Sequence, residues 1–219
     1  MSSRMSSPGR SRLQPFTLAG GAGALECVLE LPDPERYAAP RGIALVAHPH
    51  PLFGGTMDNK VTTTLARTFA GIGYVAARMN FRGVGASAGE HDAGGGETDD
   101  MELLFNHMQA QYPGLPVALA GFSFGTLVQA QLQERLAAQG RPAERLVLTG
   151  TAAGKWPVPP VPANTIVIHG ETDDTIPLIN VLDWARPQDL PVIVIPGCDH
   201  FFNRKLQHIK NFVVEMWHR

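Results

Sequence analysis

From residue 42 onward the chain alternates short unbroken apolar runs with longer stretches whose apolar residues recur every three or four positions. The runs are GIALVAH, GYVAARMNF, LPVALAG, RLVLTG, NTIVIHG and LPVIVIPG. Aliphatic and β-branched runs of this length, without polar alternation, suit strands covered on both faces, as in a parallel sheet. Between them, residues 59–72 carry Val61, Leu65, Phe69 and Ile72 at i, i+4, i+8 and i+11. Residues 204–217 carry Leu206, Ile209, Val213 and Met216 in the same way. Met101, Leu104, Phe105 and Met108 also follow helical spacing. Each set is one apolar stripe of a helix and belongs to a core. The alternation predicts an α/β fold: a mostly parallel central sheet with helices on both faces.

Upstream, PFTLAG and ALECVLELP flank Gly20-Gly21-Ala22-Gly23, the signature of an N-terminal β-hairpin. No helix follows that glycine turn, so it does not read as a phosphate cradle. Residues 1–14 are dominated by Ser, Arg, Pro and Gly and are expected to be a disordered tail, leaving 15–219 as a single domain. The strands RLVLTG and NTIVIHG are separated only by TAAGKWPVPPVPA. Its prolines favour an extended, stiff strap, and so few residues cannot build a cap with its own core. An open site without a cap domain is expected, walled by residues 52–57, 84–96 and 152–162, with Trp156 pinning the strap to the body in preference to packing against an acyl chain.

Composition adds exclusions. With 219 residues, 44% hydrophobic, 17% charged and a formal charge of -2, the chain offers no electrostatic reason to bind nucleic acid or an anionic membrane. It has no apolar run approaching the ~18 residues of a spanning helix, and MSSRMSSPGRSR lacks the apolar centre of a secretory signal. A soluble, cytoplasmic protein is expected. Cys27 and Cys198 are the only cysteines, too few for a disulfide framework, and are expected to be reduced.

Open parallel sheets bind ligands where their strands end, so the residues just after each run carry the chemistry. These are His48-Pro49-His50-Pro51-Leu52-Phe53-Gly54-Gly55, then Asn80-Phe81-Arg82-Gly83, then Gly121-Phe122-Ser123-Phe124-Gly125. The last two strands end in His169-Gly170-Glu171-Thr172-Asp173-Asp174 and Gly197-Cys198-Asp199-His200. A serine hydroxyl is a weak nucleophile that needs a base within reach and a third group to hold that base. Ser123, Asp173 and His200 supply those types, in the chain order nucleophile, acid, histidine. His48 and His50 alternate as metal ligands do, with Cys198 and His200 as imaginable partners, but the loop continues into a glycine turn without a carboxylate. No metal and no cofactor are expected. His48 is read as a brace between loops, Asn80 and Arg82 as structural orienters of the neighbouring loop, residues 92–97 as a flexible cap of the next helix, and Asp58-Asn59 as a helix N-cap.

GFSFG, HGETDDTIP and GCDHFF, each after a strand, resemble the α/β-hydrolase superfamily. AHPHPLFGGTMDNK with NFRGVGASAGEHD is similar to a branch of small bacterial serine hydrolases without a cap. The resemblance runs from about Ala44 to the C-terminus. It implies Ser123 as nucleophile in a nucleophile elbow, Asp173 as the acid with Asp174 as the adjacent alternative, and His200 as the base. It implies an oxyanion hole with Phe124 donating the first amide. The second comes from the loop after the first parallel strand, where Pro49 and Pro51 have no N–H, leaving Leu52, which is preferred, or His50. The expected activity is hydrolysis of a small-molecule carboxylic ester or thioester by a serine esterase through an acyl-enzyme. Acyl transfer, peptide cleavage with the same residues, or a binding protein that kept the fold without catalysis are the alternatives.

Overall fold

The computed structural model describes residues 12–217. Residues 1–11 of the expected tail lie outside the described residues. Residues 12–14, read as tail from composition, instead begin strand β1 (Arg12–Gly20), where Arg12, Leu13 and Gln14 pair with Leu31, Glu30 and Leu29 of β2 (Gly23–Leu31). An edge strand gains backbone pairing and needs few apolar side chains, which is why composition misread it. The hairpin closes through Gly21-Ala22, with Gly20 opposite Gly23.

Six strands follow: β3 (Gly42–Ala47), β4 (Tyr74–Met79), β5 (Val117–Phe122), β6 (Arg145–Thr149), β7 (Ile166–Gly170) and β8 (Val192–Ile195). The helices are α1 (Lys60–Gly71), α2 (Gly95–Gln111), α3 (Phe124–Ala138), α4 (Leu178–Ala185) and α5 (Leu206–Trp217). The sheet order is β1-β2-β4-β3-β5-β6-β7-β8. Its first two pairings are antiparallel, and β4, β3, β5, β6, β7 and β8 run parallel. Alternation along each strand divides the core. Ile43, Leu45 and Ala47 join Leu104, Leu127 and Val181 of α2, α3 and α4 on one face. Ala44 and Val46 join Leu65, Phe69, Ile209 and Val213 of α1 and α5 on the other.

The helical stripes agree with the sequence pattern except at the end of α5, where Trp217, not Met216, completes the buried face. Its Nε1 donates to Tyr74 Oη at 2.9 Å. Asn59 caps α1 by accepting from the Val61 amide at 2.9 Å. No helix among the described residues is long and apolar enough to cross a membrane.

Candidate active site

The bend between β5 and α3 forces Ser123 into the left-handed region, at φ 54 and ψ -123. This strain is tolerated because both flanks are over-determined. A Cβ on Gly121 would lie 2.5 Å from the Gly125 carbonyl oxygen, and one on Gly125 would lie 2.5 Å from that of Ala47 and 2.7 Å from that of His48. Only glycine lets α3 start this close to the end of β3. The Ser123 amide donates to Thr149 O at 3.0 Å, so the neighbouring strand end holds the turn as well.

Three strand ends then converge. Ser123 Oγ lies 3.0 Å from His200 Nε2, and His200 Nδ1 lies 2.7 Å from Asp173 Oδ2. The other carboxylate oxygen of Asp173 accepts from the amides of Thr175 at 2.9 Å and Ile176 at 2.7 Å. Asp174 is exposed, and among the described residues its side chain accepts one hydrogen bond, from the Thr175 hydroxyl at 3.4 Å. All three members of the chain are buried, Ser123 at 9% exposure, Asp173 at 6% and His200 at 2%. The His200 ring is held between Phe122, 5.1 Å away, and Phe201, 5.2 Å away and edge-on.

Sequence reasoning assigned no role to His169. Its Nε2–H donates to Ile176 O at 2.9 Å and lies 3.4 Å from Asp173 Oδ2, while burial first of all holds it below the usual histidine range. A neutral ring thus backs the carboxylate without competing for its charge. Cys198 stands two residues before His200, but burial pushes its thiol up to about 11, so no thiolate rivals the serine at neutral pH.

Phe124 is the first residue of α3, so its amide has no intrahelical carbonyl to bond and stands at the positive end of the helix dipole. The Leu52 amide, the preferred second donor in the sequence, is engaged: it donates to His50 Nδ1 at 3.2 Å. Leu52 and its neighbour Phe53 are otherwise turned outward, 70% and 85% exposed. The His50 ring sits in a nest of rings, 4.7 Å from His91, 4.8 Å from Phe53, 4.9 Å from Phe124 and 5.4 Å from Trp156. Trp156 is partly buried, packs against the core and lies 5.1 Å from the Phe124 ring, so it pins the strap as read from sequence, and Trp184, whose Nε1 donates to Val158 O at 3.0 Å, ties the strap a second time. Beside these rings a cleft of about 380 Å³ runs between Pro51-Leu52 and the loop carrying Gly83, Gly89, Glu90 and His91.

The braces read from sequence are in place. His48 is fully buried, with Nδ1 against Pro49 O at 2.6 Å and Nε2 accepting from the Phe81 amide at 2.9 Å, so both nitrogens are used within the fold. Asn80 accepts from Met57 N and donates to Glu26, and Arg82 makes a two-pronged contact with Asp100 at 2.8 and 2.9 Å.

The His48 brace has a thermodynamic consequence. Burial, partly offset by the bond to the Pro49 carbonyl, pushes its pKa down to about 4. An unfolded histidine titrates near ~6.5, so on acidification the unfolded chain binds the proton first. Stability should be undiminished by this ring above about pH 6.5 and fall by up to about 3 kcal/mol as pH drops to about 4. Thermal melts across that window, with the His48 ring followed by NMR, check it; a ring that protonates near pH 6.5 in the folded protein refutes it.

Comparison with known proteins gives the family. Residues 39–194 match the model of the Hydrolase_4 family, serine aminopeptidase, S33. The chain belongs to this family. The hydrolase is similar to XC6422 of Xanthomonas campestris, an α/β serine hydrolase without a lid, at 34% identity and a TM-score of 0.85 over 96% of each chain. It is also similar to an α/β serine hydrolase homologue from Coxiella burnetii, at 28% identity and a TM-score of 0.82 over 95% of this chain and 99% of that one. The protein RP471 of Rickettsia prowazekii (strain Madrid E) is 30% identical over 190 residues, 78% of this chain and 76% of that protein. This hydrolase is thus of the α/β serine type, in the branch that lacks a lid.

Proposed function

We propose that this hydrolase cleaves carboxylic esters or thioesters through a covalent acyl-enzyme. The observation that carries the reading is the unbroken path from Ser123 Oγ through His200 to Asp173 Oδ2. Ser123 Oγ attacks the substrate carbonyl while His200 Nε2 takes its proton. Asp173 holds His200 Nδ1–H and so keeps the lone pair on the nitrogen that faces the serine. The tetrahedral intermediate collapses, His200 returns the proton to the departing alcohol or thiol, and the acyl group remains on Ser123. Water, deprotonated by His200, then attacks the acyl carbonyl and releases the acid and the free serine.

The oxyanion is stabilised by the Phe124 amide and, in this reading, by the His50 amide in place of Leu52. The engagement of the Leu52 amide by the His50 ring supports that change. His48, two residues before His50, presses its carbonyl against the start of α3, which brings this loop alongside the elbow. The partly exposed rings of Trp156, 5.1 Å from Phe124, and Phe201, 5.2 Å from His200, favour an apolar acyl group. Free, buried thiols at Cys27 and Cys198 fit a cytoplasmic setting.

A panel of acyl esters and thioesters of graded chain length, with an aminoacyl anilide and Ser123→Ala as blank, tests the reading. Turnover of esters or thioesters that vanishes in the blank is expected; preference for the anilide would make the chain a peptidase. Without a lid, turnover of a short-chain ester should rise smoothly with concentration through its solubility limit. An abrupt activation at that limit would show that something covers Ser123.

A further inference from the structure

A second histidine–carboxylate pair lies beside Phe124, the residue that follows Ser123. Glu97, in the first turn of α2, is completely buried. A buried carboxyl group needs hydrogen-bond partners, and this one has them: Oε2 accepts from the Gly94 amide at 2.9 Å, and Oε1 accepts from the Asp92 amide at 2.9 Å. Those two bonds cap α2 and would suffice for a structural role. A third contact goes elsewhere, from Oε1 to His91 Nδ1 at 2.7 Å. The carboxylate makes Nδ1 the donor and so fixes the orientation of the His91 ring.

That ring lies 4.7 Å from His50 and 5.3 Å from Phe124. His50 in turn binds the Leu52 amide through its own Nδ1, which locks the turn at 51–53. The three side chains form a line from a buried carboxyl group to the loop that carries the proposed second oxyanion donor.

We propose that Glu97 and His91 are positioning residues: the buried carboxylate fixes the His91 ring, the ring holds His50, and His50 presents its backbone amide to the developing oxyanion. The inference rests on the acyl-enzyme reading above. A donor placed for the transition state rather than for bound substrate acts on kcat and spares KM.

The experiment uses His91→Ala and His91→Asn, assayed on one ester and its thiono analogue, whose sulfur accepts hydrogen bonds poorly. Sites are titrated with a fluorophosphonate so that kcat refers to competent protein. Loss of an oxyanion donor costs about 10^2 to 10^3 in kcat, and displacing one should cost a fraction of that, about 5- to 50-fold, with KM within about twofold. The preference for the oxygen ester over the thiono ester should shrink in parallel. His91→Asn keeps a donor for Glu97 while withdrawing the ring from His50, so it reads the contact in a chain whose helix cap stays bonded. Wild-type kcat in folded His91→Asn, or a loss equal for both substrates, overturns the inference. Ser123→Ala in the same assay separates the two levels: turnover that persists there overturns the acyl-enzyme reading, whereas a silent Ser123→Ala beside an unaffected His91→Asn overturns only the positioning role.

Discussion

Ser123→Ala should abolish turnover, a loss on the order of 10^6-fold in kcat, while the protein melts where the wild type does. The expectation of an intact fold comes from the local structure. Among the described residues the Ser123 hydroxyl hydrogen-bonds only with His200, and the turn is secured by backbone: the Ser123 amide on Thr149 O and the Ser123 carbonyl accepting from Thr126. Alanine at φ 54 keeps the strain that serine already bears. His200→Ala should match it in turnover, since nucleophile and base act as one unit and their losses do not add. The hydroxyl-reactive fluorophosphonate should label wild type and not Ser123→Ala. Folded Ser123→Ala that still turns over the ester would end the mechanism.

Much of this arrangement is legible in the sequence, for a physical reason. The strand interiors are largely apolar, so chemistry collects where they end, and Ser123, Asp173 and His200 stand out after VALAGF, IVIHG and VIVI, although VIVI forms the half-buried edge strand β8. The close approach of α3 to β3 excludes a Cβ at residues 121 and 125, and the two glycines announce the bend. What stays illegible depends on side chains meeting across loops. The prolines at 49 and 51 show which amides are missing, but nothing in HPHPLF says that the His50 ring takes the Leu52 amide. His91 and Glu97 are six residues apart with no periodicity between them. Their contact requires the left-handed turn at Ala93, φ 49, and Gly94, φ 108. Trp156 pins the strap as its place in the sequence suggests, whereas the second tie, from Trp184 in α4 to Val158 O, is set by packing alone.

The adjacent aspartates offer the sharpest separation. Asp173→Asn should lower kcat/KM by roughly 10^4-fold, the scale found when the acid of a serine protease triad becomes an amide. The two oxygens of Asp173 face different partners, so neither orientation of an asparagine works. With the amide oxygen toward Thr175 N and Ile176 N, the amino group faces His200 Nδ1 and forces the ring proton onto Nε2, where it meets Ser123 Oγ and leaves no lone pair to receive the serine proton. Turned over, the amino group confronts two backbone donors in a buried pocket, at a cost of about 1–3 kcal/mol for each unmade bond. The first orientation costs less, so a folded, inactive enzyme is the expected product. Asp174→Asn changes an exposed side chain whose one hydrogen bond among the described residues is a 3.4 Å approach from the Thr175 hydroxyl, and turnover should stay within about twofold. Steady-state kinetics on the two variants, beside their melting curves, decide the matter. Damage confined to Asp174→Asn would mean that a carboxylate other than the one touching His200 directs the imidazole.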